Sequence, residues 1–170
     1  MRVAVTDACI FIDLIELDLI SDFFRLDLEL HTTIEVMNEL FSEQMQVLEA
    51  YQHVGKLIVH NLEEQDFLKI DTLALPKGLS PEDKSVLYIA TSLKDGIVIS
   101  SDNLLRKHAE RLSLDCHGLL WVMDQMVMQG VCSKSSASGL LKRLLTLNKM
   151  YASGKLRKEI EDRLNKLKKT

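Results

Sequence analysis

Asp7 closes the apolar stretch Val3-Ala4-Val5-Thr6, and Asp102 comes directly after Ile97-Val98-Ile99-Ser100-Ser101. Asp83 lies in the first turn of a helical segment that leads into the second stretch, and Glu39 lies on a helical pattern between the two. In open parallel sheets, ligands bind outside the carboxyl ends of strands, near the point where strand order reverses. Asp7 and Asp102 are therefore expected to face one crevice, with Glu39 within reach of it. Each acid also has a plain structural role: Asp7 and Asp102 as N-caps, Asp83 as the far half of a capping box, Glu39 as a solvated helix acid. A capping carboxylate contributes ~0.5–2 kcal/mol with no active site at all. Capping does not account for convergence, because several anions in one pocket repel each other and need a counter-charge. Mg²⁺ or Mn²⁺ supplies it, since hard cations prefer oxygen ligands. A carboxylate pocket without a His or Cys cluster points to phosphate chemistry, and the reaction class implied is phosphodiester hydrolysis.

The elements that must position these acids follow from apolar periodicity. Short apolar runs alternate with longer segments of helical period, the signature of an α/β protein with a parallel sheet. Strands are predicted at residues 2–6, near Leu30-His31-Thr32, at 56–60, at 97–100, and on an edge at Leu114-Asp115-Cys116. Helices are predicted at 8–17, at 34–51 as one continuous segment carrying Glu39, at 62–73, and at 103–112. Ser80-Pro81-Glu82-Asp83 opens a further helix with strong start signals: Ser at the N-cap, Pro at the first position and an acid three residues after the Ser. From Gly118 onward the chain reads as helix, to about Gln129, then from Ser136 to Leu147, then from Lys155.

At these residues the sequence resembles the PIN-domain family of metal-dependent ribonucleases. The resemblance is carried by Val3-Ala4-Val5-Thr6-Asp7, by Val36-Met37-Asn38-Glu39-Leu40, by the segment from Leu79 through Asp83 to Ala90, and by Ile97-Val98-Ile99-Ser100-Ser101-Asp102. It continues through Leu104–Ala109 and Gly118-Leu119-Leu120 and covers about residues 2–147. It implies a three-layer α/β/α sandwich with a mainly parallel sheet and C-terminal helices. It also implies that Asp7, Glu39, Asp83 and Asp102 are the metal-binding, catalytic acids, with Mg²⁺ or Mn²⁺ as cofactor and RNA as substrate. Ser100 stands where the family commonly has Thr and keeps a hydroxyl for a carboxylate; Glu82 competes with Asp83 for the third place. Small proteins of this pattern look like VapC-type toxins, which cleave RNA and are held inactive by an antitoxin protein. The alternative is a non-catalytic PIN-like module that binds RNA or a protein. Residues 1–147 are read as the nuclease-like domain and residues 148–170 as a basic amphipathic helix extending it.

A chain of 170 residues and 19.3 kDa accommodates one ordinary domain. Its net charge of −4 is unevenly spread: residues 1–141 hold 22 acids and 11 bases, residues 142–170 hold 10 bases and 3 acids. The basic tail suits an RNA backbone, yet Leu156, Ile160, Leu164 and Leu167 recur at helical spacing, so its lysines equally serve as a wet helix face. Aromatic residues are only 5%, which does not favour base stacking. Trp121, Met123, Met126 and Met128 read as core or as a subunit interface, which leaves a homo-oligomer open. Cys9, Cys116 and Cys132 have no zinc spacing and are expected to be reduced, largely buried thiols. No apolar run reaches the ~20 residues of a membrane span, and a cytoplasmic location is expected. A phosphoacceptor receiver domain is excluded at three places, where this chain has Asp7-Ala8, His60-Asn61 and His117-Gly118.

Overall fold

The computed structural model describes residues 1–169. Five parallel strands form one sheet in the order β3-β2-β1-β4-β5: β1 (Arg2–Thr6), β2 (Leu28–Thr33), β3 (Leu57–His60), β4 (Ile97–Ile99) and β5 (Cys116–His117). Between β1 and β2 lie α1 (Ala8–Glu16) and α2 (Ile20–Phe23), and between β2 and β3 lie α3 (Ile34–Asn38) and α4 (Ser42–His53). α5 (Glu64–Thr72) and α6 (Pro81–Ser92) lead to β4, and α7 (Asn103–Arg111) leads to β5. The chain ends in α8 (Leu119–Met128), α9 (Lys134–Leu147), a 3₁₀ turn at Lys149–Tyr151 and α10 (Gly154–Lys168). Helices flank the sheet on both faces, giving an α/β/α sandwich.

The two central strands explain why the sheet holds together. Ala4 and Val5 on β1, and Ile97, Val98 and Ile99 on β4, are at most 1% exposed. A parallel strand covered on both faces needs such an uninterrupted apolar run. β1 pairs with β2 from Arg2 opposite Leu28 and with β4 from Ala4 opposite Ile97. The sheet order therefore reverses between β1 and β4, and the residues just beyond these two strands share that edge.

The predicted start of α6 is realised in full. The Ser80 hydroxyl accepts from the Asp83 amide at 3.1 Å, the Asp83 carboxylate accepts from the Ser80 amide at 3.4 Å, and Pro81 takes the first helical position. Val86, Leu87 and Ala90 then bury completely against the sheet.

The predicted continuous helix over residues 34–51 is two helices. Its spacing of apolar residues survives the break, which is why periodicity alone missed it. Glu39 and Leu40 close α3 with tight bonds from their amides to the Val36 and Met37 carbonyls. Phe41 then starts α4 in extended conformation, its amide donating to the Gln44 side chain at 3.0 Å. Smaller differences fall at the edge strand, which is Cys116–His117 rather than 114–116, and at α9, which begins two residues early because Ser133 caps it.

α10 is amphipathic as its spacing predicts. Ile160 is fully buried and Tyr151 almost so, both within the main core, while Leu156, Leu164 and Leu167 pack against it. On its wet face Lys155 pairs with Glu159, Arg157 with Glu161, and Arg163 with both Glu159 and Asp124. Met123 and Met126 are core residues, whereas Met128 is 76% exposed. The three cysteines are free and half-buried. Among the described residues no helix is long and apolar enough to cross a membrane.

Candidate functional site

Asp7 is the first residue after β1 and the N-cap of α1. Its amide donates to the Ile99 carbonyl at 3.1 Å, which fixes it against the end of β4. One carboxylate oxygen accepts from the Ala8 amide at 2.7 Å, and the other accepts from the Ser100 hydroxyl at 2.8 Å and the Cys9 thiol at 3.2 Å. Asp7 is only 5% exposed, and a carboxylate so withdrawn from water needs these donors.

Ser100 follows β4 and is fully buried. While its hydroxyl donates to Asp7, its oxygen accepts from the Asp102 amide at 3.1 Å, so one side chain ties the ends of both central strands together. Asp102 caps α7, its Oδ1 accepting from the Leu105 amide at 2.8 Å. Its second oxygen takes no hydrogen bond among the described residues.

The other two acids arrive from the helices over the sheet. Asp83 sits in the first turn of α6, held by the capping box. Glu39 ends α3, which packs beside α6. That packing is pinned by the fully buried hydroxyls of Thr33 and Ser85, 2.7 Å apart, of which Thr33 also caps α3. Glu39 thus reaches the edge from a helix end, not from mid-helix as the predicted 34–51 segment had it.

Electrostatics show that the four acids share one region. Partial withdrawal from water, then the charges of Asp7, Glu82 and Asp83, push the Glu39 carboxyl up to about 7. Burial, then Asp7 and more weakly Asp102, raise Asp83, against the lowering effect of its bonds to Ser80. Burial and the charge of Asp7 also hold the Cys9 thiol well above its usual range, so it stays protonated and donates. Each acid feels at least one other, and no cation is prominent among the causes. Glu82 and Asp83 both act on Glu39, and Asp83 also interacts with Asp7 and Asp102.

Cys9 was not anticipated as part of this region. It lies two residues after Asp7, in the first turn of α1, and its sulfur also accepts from the Ser101 amide at 3.4 Å. Its only sequence signal is that nearness to Asp7.

The donor set is hard oxygen, and burial together with mutual repulsion already lifts Glu39 and Asp83, so a divalent cation fits the region chemically. Among the described residues no three His, Cys, Asp or Glu side chains are gathered closely enough to hold an ion.

A family model described as PIN domain matches residues 3–166. The chain belongs to the PIN-domain family. The match spans β1 to α10 and includes all four acids, and it extends beyond residue 147 into the C-terminal helix. A PIN domain is a nuclease-type fold. No curated protein matches the chain.

Proposed function

We propose that this PIN domain is an endoribonuclease dependent on Mg²⁺ or Mn²⁺, with Asp7, Glu39, Asp83 and Asp102 as its catalytic, metal-binding acids. The observation that carries this reading is the coupling of carboxylates from four separate segments at the edge where the sheet order reverses. A divalent ion bound there would supply Lewis-acid neutralisation of the charge that develops on a phosphodiester. The chain's own part is orientation. Ser100 holds Asp7 and the Asp102 backbone in register, the Ser80 box aims Asp83, and the Thr33–Ser85 contact sets Glu39 over the edge.

The test is cleavage of a single-stranded RNA with Mn²⁺ by the wild type and by Asp7→Asn, Glu39→Gln, Asp83→Asn and Asp102→Asn. Metal-dependent cleavage that these folded variants lose supports the assignment; undiminished cleavage removes it.

The finer role, toxin of a toxin–antitoxin pair, rests on the likeness to VapC-type proteins. In that role a partner protein covers the acidic edge, and induced expression of the wild type, but not of Asp7→Asn, arrests growth. A second reading, a non-catalytic module that binds RNA or a protein, is favoured by one feature: Asp7, Asp83 and Asp102 all make capping bonds. RNA binding without cleavage at millimolar Mn²⁺ would select it.

A further inference from the structure

Beside the acidic edge lies a second concavity of opposite character. It has a volume of about 680 Å³ and is enclosed by α7, α8, the 3₁₀ turn and α10. That volume falls within the ~300–1,000 Å³ range of small-molecule sites. Its charged walls are Arg106, Lys107, Lys155 and Arg163 against Glu110 and Glu159. Two of these cations are occupied: Arg163 grips Asp124 with bonds of 2.8–3.1 Å, and Lys155 stands 4.0 Å from Glu159. Arg106 and Lys107 have no carboxylate partner and no hydrogen bond among the described residues.

Arg106 is the informative one because it is half-buried. Its guanidinium lies against the backbone of Gly118, where any added Cβ would come within 3.0 Å of its Nη1. A partly desolvated guanidinium without an anion is unfavourable, and its planar fork matches a phosphate. Next to it, the rings of His117 and Trp121 stack at 4.3 Å with planes 12° from parallel, and both line the cavity. The hydroxyls of Ser101 and Tyr151, 3.0 Å apart, complete a polar corner. Ser101 and Asn103 line this cavity while Asp102, between them, belongs to the acidic edge, so the two regions adjoin.

We propose that this cavity binds one nucleoside-phosphate unit of single-stranded RNA, with Arg106 and Lys107 on the phosphate and the His117–Trp121 pair beside the base. The choice of RNA rests on the ribonuclease reading. A half-enclosed cavity with an aromatic wall suits an unstacked base, which a single strand offers and a duplex withholds.

The experiment is fluorescence anisotropy with a labelled eight-nucleotide single-stranded RNA in EDTA, so that binding is read without metal or cleavage. Binding is expected to weaken at least about tenfold in Arg106→Ala, with partial recovery in Arg106→Lys. Lys107→Ala, at an exposed position that does not threaten folding, is expected to lower the slope of log affinity against log salt by about one. Asp102→Asn is expected to bind as the wild type does while losing cleavage, which separates this cavity from the metal site. Wild-type affinity in both Arg106→Ala and Lys107→Ala overturns the proposal. So does equal competition by the duplex of the same sequence or by a Glu-rich peptide.

Discussion

The acidic edge and the basic cavity meet at residues 101–103, yet they are built in opposite ways. At the edge, the carboxylates come from four segments and three are held by short-range bonds to their own neighbours: Asp7 to Ala8, Asp83 to Ser80, Asp102 to Leu105. In the cavity, Arg106, Trp121 and Tyr151 come together only because α7, α8 and the turn before α10 pack around one hollow. Local hydrogen bonds fix the direction of the three aspartates, and the sheet order brings the acids together. The cavity depends on tertiary packing alone. The net charge of −4 conceals both regions, because anions crowd one and unpaired cations stand in the other.

Asp102→Asn and Arg106→Ala break this contrast most strongly. Asp102→Asn is expected to lower Mn²⁺-dependent cleavage at least about 10²-fold, since metal-site substitutions routinely cost that much. Arg106→Ala is expected to act first on RNA affinity. Steady-state cleavage kinetics check the division: the aspartate variant loses kcat, and the arginine variant loses chiefly through KM. Identical effects on both constants would show one region, not two.

Ser100→Ala is expected to come next, weakening Mn²⁺ affinity about 10- to 100-fold, because it removes the hydroxyl that bonds Asp7 and the Asp102 amide. RNA binding in EDTA should be unchanged. Competition with a metal-sensitive dye reads the first quantity, and wild-type Mn²⁺ affinity would show that the Ser100 hydroxyl does not position Asp7.

Ser80→Ala is a smaller perturbation. Loss of the cap on α6 is expected to destabilise the protein by ~0.5–2 kcal/mol in urea unfolding. Because the box also aims Asp83, cleavage should fall as well, and restoring the cap with Ser80→Thr should recover both.

The smallest effect is on pH dependence. Glu39 titrates at about 7 in the folded chain against 4.5 ordinarily, so the folded state binds this proton more tightly than the unfolded state does. The stability this gives is fully present below pH 4.5 and is lost as pH rises through about 7. In EDTA, the Tm of the wild type should therefore decline across that window relative to Glu39→Gln. Parallel Tm profiles for the two proteins would contradict the upward shift that partial burial and the neighbouring acids give Glu39.

The same contrast explains what the sequence disclosed. β1, β4 and the start of α6 were legible because their determinants lie within a few residues: an unbroken apolar run, or Ser80-Pro81 followed by Asp83. Asp7, Asp83 and Asp102 stood out as candidates for the same reason, each standing just after a strand or in a first helical turn, whereas Glu39 stands at a helix end. The break between α3 and α4 was not legible, because Ile34, Met37, Phe41, Leu48 and Tyr51 keep helical spacing across it, although Phe41 is exposed where the stripe would bury it. Cys9 needed the third dimension to reveal its contacts with Asp7 and Ser101. Arg106, His117, Trp121 and Tyr151 follow no period at all, and only the packing of three helices and a turn puts them around one space. The basic tail follows its leucine spacing: Lys155, Arg157 and Arg163 lie on a wet helix face and are paired with acids.

The central claim is that four carboxylates from separate segments form one divalent-metal site. Isothermal titration of the chain with Mn²⁺ tests it most directly. The prediction is one ion per chain at millimolar metal or below, lost in Asp7→Asn and Asp102→Asn and retained in Arg106→Ala. Binding that survives both aspartate substitutions, or a wild type that takes up no Mn²⁺ at millimolar concentration, would contradict it.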